Sequence, residues 1–153
     1  NLAIAEKFSA PLIIDSKYRE GTLRKEAAKK NKPILVFEGG ESMRFDYLSI
    51  NEGLNGCLRL MKSYGMIDSD IPNNPHVKVI RDSWIRAGAS GLFHMNANNG
   101  AHVRKDDLLG VICNPFGEVE HKIVSPVDAY IVGINNQPIV NEGDALIHLG
   151  MED

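Results

Sequence analysis

The sequence predicts an α/β segment followed by an all-β segment, and three observations predict it. Short apolar runs alternate with helix-period stretches over the first 65 residues. A polar, proline-bearing stretch, Asp68-Ser69-Asp70-Ile71-Pro72-Asn73-Asn74-Pro75, then ends the helical periodicity. Beyond it come short β-rich runs punctuated by Gly, Pro and Asn. Strand and helix in alternation give an α/β layer, and many short strands with turn signals give a sandwich or small barrel. The expected organisation is residues 1–70 in one domain and 71–153 in a second.

In the first part, Ala10-Pro11-Leu12-Ile13-Ile14-Asp15 reads as a short buried strand. Thr22 is placed to cap a helix over Leu23 to Lys30, with Asn31 as its stop. Ile34 to Phe37 reads as the next strand. Asp46 or Ser49 then starts a second helix, in which Leu54, Cys57, Leu58 and Met61 fall at i, i+3, i+4 and i+7 before Gly65 closes it. That spacing predicts an apolar face toward the core.

In the second part, strands are expected over Val77 to Ile80, Trp84 to Ala87, Leu108 to Cys113, Val119 to Val124, Tyr130 to Ile134 and Ala145 to Leu149. A weak internal repeat aligns Val103-Arg104-Lys105-Asp106-Asp107-Leu108-Leu109 with Val140-Asn141-Glu142-Gly143-Asp144-Ala145-Leu146. Ser90-Gly91 and Ser125-Pro126 precede the two copies. Two quasi-equivalent β units resemble the lipoyl and biotinyl barrel-sandwich modules. Those carriers present a modified lysine at the hairpin between the halves, whereas the turn here reads Asn114-Pro115-Phe116-Gly117 and Lys122 lies further along the strand. Carrier function is therefore not expected to transfer.

Composition narrows the function. The 153 residues, 43% hydrophobic, suffice for a real core, and no apolar run approaches the roughly 20 residues of a membrane span. The amino end lacks a basic segment followed by an apolar one, so a cytoplasmic protein with no membrane partner is expected. The formal charge of -3, with both signs interspersed, leaves no basic stripe for a phosphate backbone, and nucleic acid is not expected as a partner. Cys57 and Cys113 have neither Cys-x-x-Cys nor finger spacing and read as small core residues without a disulfide. The chain begins at Asn1 rather than Met, which suggests a processed product or a fragment.

The candidate chemistry lies at Pro33-Ile34-Leu35-Val36-Phe37-Glu38-Gly39-Gly40-Glu41. A run of β-formers ending in Glu-Gly-Gly would deliver one acid to the carboxyl edge of a sheet, where open α/β sheets keep their ligands. The alternative is a strand that ends in a solvated Glu. Glu41 rivals Glu38, which is preferred because the strand alone fixes its direction. Arg24 could hold a substrate carboxylate in a two-pronged contact, or could be an Arg on an exposed helix face. Asp15, Lys17, Tyr18 and Arg19, just after the first strand, are further candidates for the pocket wall.

Taken in order, several motifs resemble the succinylglutamate desuccinylase and aspartoacylase family. They are Gly21-Thr22-Leu23-Arg24, Pro33 through Glu41, Arg44-Phe45-Asp46, Tyr64-Gly65-Met66, Arg86-Ala87, Ser90-Gly91-Leu92-Phe93-His94, Pro115-Phe116-Gly117-Glu118 and Asn141 through Leu146. The resemblance implies the carboxyl-terminal part of a zinc-carboxypeptidase-like α/β domain, followed by a lipoyl/biotinyl-like β-barrel-sandwich domain. It implies a zinc-dependent amidohydrolase that cleaves an N-acyl amino acid or N-acyl amine, and it maps the general base and acid onto Glu38. Zinc lowers the pKa of bound water from ~15.7 to about 7, and the carboxylate relays the proton to the leaving amine.

The zinc ligands of that family come from an early His-x-x-Glu motif and a later histidine. None of His76, His94, His102, His121 or His148 is followed by Glu three residues on. No metal ligand is assigned here, and zinc is expected only in the complete protein. His94 and His102 are read as a satisfied or solvated pair. Residues near Phe93 and His94, or Phe116 and Gly117, could narrow access to the pocket. The implied partners are a small N-acyl substrate and either a missing amino-terminal half or another copy, with a homo-oligomer expected. The chain alone is then expected to be inactive. The alternative is a non-catalytic β-barrel interaction module. A two-strand α/β layer would also expose a sheet edge and apolar surface, so either pairing with another chain or disorder at the amino end is expected.

Overall fold

The computed structural model describes residues 1–68 and 70–152, without the side chains of Val119 and Glu120. The expected boundary stretch includes Ser69, which lies outside the described residues. The chain divides into two compact units, Asn1–Val77 and Lys78–Asp153.

The first unit is built from helices α1 (Leu2–Phe8), α2 (Leu23–Lys29) and α3 (Tyr47–Ser63) with strand β1 (Leu12–Ile14). Two helix starts follow from local capping. The Thr22 hydroxyl accepts the Lys25 N–H at 3.3 Å, and Asp46 Oδ1 accepts the N–H groups of Leu48 and Ser49 at 3.0 and 3.3 Å. The amino end is helical, an element the sequence reading did not foresee. Lys7 Nζ of α1 lies 4.5 Å from the Tyr64 ring centroid just past α3.

Two expectations for this unit are corrected. Ala10 to Asp15 shortens to the three residues of β1, which are half-buried rather than buried. Ile34 to Phe37 is not a strand and carries no regular secondary structure. A strand is defined by its neighbour, and the one described bond to the backbone of residues 33–38 runs from the Ile34 N–H to Asn1 Oδ1 at 3.4 Å. The predicted apolar face of α3 is also not its buried face. Leu54 and Cys57 are exposed, while Gly56 and Arg59 are buried.

A polar latch holds that face. Arg59, 5% exposed, donates from Nε to the Pro72 carbonyl oxygen at 2.8 Å. From Nη1 it donates to Glu52 Oε1 at 2.8 Å and to the carbonyl oxygens of Phe8 and Ser9 at 3.1 and 3.2 Å. Asn74 Nδ2 donates to the same Glu52 oxygen at 2.8 Å and to Ser9 O at 3.1 Å. The end of α1, the middle of α3 and residues 72–74 are thereby tied through one guanidinium, and among the described residues no buried side-chain nitrogen or oxygen lacks a partner.

The remaining strands are β2 (Val77–Val79), β3 (Arg81–Arg86), β4 (Gly91–Met95), β5 (His102–Val103), β6 (Leu108–Cys113), β7 (Val119–Val124), β8 (Ala129–Ile134), β9 (Ile139–Val140) and β10 (Ala145–Met151). Strand β2 pairs with β1. The others form two four-stranded sheets, ordered β3-β10-β8-β5 and β7-β6-β4-β9. The pairings within each sheet are antiparallel. Among the described residues the expected barrel is therefore two sheets with no closed ring of strands. Strands β4, β5 and β9 were not foreseen. The second unit's core is continuous and includes Leu109, Ile112, Ile131, Leu146, Ile147 and Leu149, each essentially inaccessible to water. Cys113 is buried there, as expected.

The internal repeat has a structural counterpart. Exchanging β3, β4, β5 and β6 with β7, β8, β9 and β10 converts one sheet order into the other. The Asp107 carboxylate accepts the Arg104 N–H at 2.7 Å, and the Asp144 carboxylate accepts the Asn141 N–H at 2.8 Å. Asp106 and Gly143 both have positive φ, 69° and 91°. Their N–H groups donate to Ser125 O and Ala87 O at 2.7 and 2.8 Å.

Candidate active site

The Glu38-Gly39-Gly40-Glu41 segment leads into the start of α3. Gly40 has φ +78°, and a Cβ there would lie 3.2 Å from Asp46 Cβ. A Cβ on Gly39 would lie 3.1 Å from both the Phe37 ring and Ser49 Cβ. The glycine pair thus lets the loop turn and lie close against the helix start. Beside it is an open groove of about 210 Å³, lined by Phe37, Gly39, Gly40, Glu41, Arg44 and Asp46 among others.

The rival carboxylates differ in their surroundings. Glu41 Oε2 lies 3.1 Å from Arg44 Nε, so its charge is paired. That partner, three residues on, was legible as an acid-base spacing but was not used in the sequence reading. Glu38 is exposed, and among the described residues it makes no ion pair or hydrogen bond. Asp46 is held below the usual carboxylate range, first by the Ser49 N–H, then by the Ser49 hydroxyl and the Leu48 N–H, against a smaller opposing desolvation.

Arg24 does not lie on an exposed helix face. Half-buried, it donates from Nη1 to Ser16 Oγ at 2.8 Å and from Nη2 to Ser16 O at 2.9 Å. Its guanidinium carbon is 5.4 Å from the Tyr18 ring centroid. Tyr18 Oη accepts from Asn1 Nδ2 at 3.0 Å, and Asn1 also receives the Ile34 N–H. Arg24 therefore braces the loop after β1, and that loop is linked through Asn1 to the segment that carries Glu38. Ser16 and Asn1 were not among the sequence candidates, because a serine or asparagine in a loop carries no spacing signal. Asp15, Lys17 and Arg19 are exposed. Neither Glu38 nor Arg24 lines the groove beside α3.

His94 lies on β4 in one sheet and His102 on β5 in the other, both exposed. His102 packs edge-on against Tyr130, with centroids 4.9 Å apart. Phe93 is buried in the core, and Phe116 stands exposed at the β6–β7 hairpin tip. Among the described residues no group of three or more His, Cys, Asp or Glu side chains is arranged to hold a metal ion. No helix among them is long and apolar enough to cross a membrane.

No family model and no curated protein matches the sequence. Solved structures do match. A succinylglutamatedesuccinylase/aspartoacylase from Rhodobacter sphaeroides superimposes with a TM-score of 0.82 at 21% identity, over 99% of this chain and 49% of that one. The fold is that of the succinylglutamate desuccinylase/aspartoacylase structures. The apo structure of the ectoine utilization protein EutE (DoeB) from Ruegeria pomeroyi gives a TM-score of 0.83 at 18% identity, over 97% of this chain and 49% of that one. An aspartoacylase family protein from Mesorhizobium loti gives 0.73 at 14%, over 99% and 46%. At such identities the likeness is one of fold. The chain spans about half the length of these desuccinylase/aspartoacylase-type structures.

Proposed function

We propose that this chain is part of a zinc-dependent, deacylase-type amidohydrolase that cleaves the amide of an N-acyl amino acid or N-acyl amine. Residues 1–70 would be the carboxyl-terminal portion of its catalytic α/β domain, and residues 71–153 a lipoyl/biotinyl-like barrel-sandwich domain. The observation that carries the reading is the desuccinylase/aspartoacylase fold over nearly the whole chain, combined with the ordered motifs that run from Gly21 to Leu146 and include Glu38-Gly39-Gly40.

In this reading Glu38 takes the proton of the attacking water and returns it to the leaving amine nitrogen. Its unpaired carboxylate supports that role over Glu41, whose charge is committed to Arg44. Arg24 would meet the substrate carboxylate with the donors that Ser16 leaves free. The described residues do not themselves fit a zinc ion, since no three potential ligands converge. Any metal ligands would therefore come from the part of the fold that this chain does not span. By their printed names, the neighbouring structures suggest succinylglutamate and an N-acylated aspartate as first substrates to assay. The proposed setting is cytoplasmic.

The test is Glu38→Gln in the complete protein, assayed against those two substrates. The expected loss in kcat is roughly 10²- to 10⁴-fold with the metal content unchanged. Activity equal to the unaltered protein would reject Glu38 as the base. A second reading, a non-catalytic interaction module, is favoured by the closed core of the second unit. It predicts no hydrolysis of either substrate by any form of the protein.

A further inference from the structure

Strand β3 ends one sheet of the second unit, and among the described residues no strand pairs with its outer edge. Its residues Arg81, Asp82, Ser83, Trp84 and Arg86 are exposed, whereas Ile85 packs against the core. Side chains alternate along a strand, so Asp82, Trp84 and Arg86 share the face turned away from that core. The backbone of the same residues also looks toward the open edge. Beside the Arg86–Ala145 pair, the Ala87 N–H donates to Asp144 O at 2.8 Å, the bond that flanks a non-hydrogen-bonded pair. Arg86 therefore turns its own N–H and carbonyl away from β10. The register shift near Ala145 and Ile147 puts its extra residue on β10, so alternation along β3 continues and turns Trp84 and Asp82 the same way.

Trp84 is 46% exposed and stacks on His148 of β10, with ring centroids 4.5 Å apart and planes 5° from parallel. His148 stands directly opposite Trp84 in the ladder, so it covers the ring face on the β10 side and leaves the other face over the open edge. Opposite charges flank the ring symmetrically, Asp82 two residues before it and Arg86 two after. Asp82 Oδ2 meets His148 Nε2 at 2.7 Å, which leaves Oδ1, and Arg86 gives only Nη1 to Gly143 O at 2.8 Å.

We infer that β3 is a docking edge for a second copy of this chain, with the two β3 strands antiparallel about a two-fold axis at Trp84. In that register Trp84 of one copy faces Trp84 of the other, and Asp82 of each faces Arg86 of the other. These are the residues whose backbone groups point outward, so each facing pair exchanges both its bonds. The rings meet across the axis, with an ion pair on either side. Charges on a sheet edge ordinarily keep other chains away. Asp82 and Arg86, set at equal distances from an aromatic residue, instead make the edge complementary to itself, which is what an isologous contact requires. That self-complementarity selects a second copy as the occupant. The inference stands apart from the hydrolase reading, since its readout is association.

The test is sedimentation equilibrium of the full-length protein at up to about 0.1 mM, where a dimer is expected. Asp82→Arg and Arg86→Asp each set like charges opposite one another on both sides of the axis. Each should weaken the dimer at least about 10-fold. Asp82→Arg combined with Arg86→Asp exchanges the charges and keeps the complementarity, and should restore association to within about 3-fold of the unaltered protein. A second measurement leaves both charges in place. In a Cys57→Ser background, Trp84→Cys should be oxidised by diamide to a dimer linked through residue 84, because facing Cα atoms about 5.5 Å apart lie within reach of a disulfide. If the charge-exchanged forms lose their native ellipticity, this linkage alone decides. A monomer at every concentration would overturn the inference. So would single exchanges that leave association unchanged, a natively folded double exchange that does not restore it, or no linkage through residue 84.

Discussion

Replacing Arg59 by alanine removes the donor on which the end of α1, Glu52 and Pro72 converge. Removing one partner of a fully buried ion pair costs about 3–5 kcal/mol, because the other charge is left uncompensated. Here Glu52 keeps 23% of its side chain exposed and retains the Asn74 amide at 2.8 Å. Partial rehydration therefore lowers the expected cost to about 2–3 kcal/mol. All helices among the described residues lie in the first unit, so ellipticity at 222 nm during urea unfolding reports that unit. With a slope of about 1–3 kcal/mol/M, the midpoint should fall by roughly 0.7–3 M. Glu52→Gln combined with Arg59→Ala should cost less than the sum of the two changes, with a coupling of about 1–3 kcal/mol. A loss below about 0.5 kcal/mol for Arg59→Ala would refute the view that this guanidinium holds the unit together.

Two further perturbations separate local from packing effects. A Cβ at Gly56 would collide with the Phe8 ring, so Gly56→Ala should destabilise the first unit by up to about 2 kcal/mol despite the helix propensity it gains. At Gly53 the nearest atom is Phe37 Cε1 at 3.0 Å, on a ring 42% exposed that can shift. Gly53→Ala should therefore be neutral or stabilising by up to about 1 kcal/mol in the same urea titration. The Asp46 carboxyl is held below its ordinary value of 3.8, so its capping contribution is fully present above that pH and is lost as pH falls through the lower folded value. The Ser49 amide resonance should follow that titration by NMR and stop doing so in Asp46→Asn; a midpoint at or above 3.8 would contradict the cap.

What the sequence revealed follows the range of the forces involved. Thr22 and Asp46 announce α2 and α3 because a cap is a bond to an N–H two or three residues away. The paired turns at Asp107 and Asp144 were legible for the same reason. The Ile34–Phe37 strand was not settled by its own residues, since pairing requires a neighbour that local composition does not specify. Cys57 was misplaced because hydrophobic periodicity cannot see a buried face made of Gly56 and Arg59. Strands β5 and β9, two residues each, are too short to show an alternating pattern. At the candidate site, Glu38 and Arg24 were legible as residue types at the ends of patterns. The brace of Ser16, Tyr18 and Asn1 around Arg24 joins residues 8 to 33 positions apart and had no local signature.

The most direct test of the proposed function is the intact mass and metal content of the protein isolated from its source under non-denaturing conditions, by native mass spectrometry with elemental analysis. The account predicts that residues 1–153 occur within a larger polypeptide or assembly that carries about one zinc ion per copy of Glu38. A metal-free species of 16.9 kDa would contradict it.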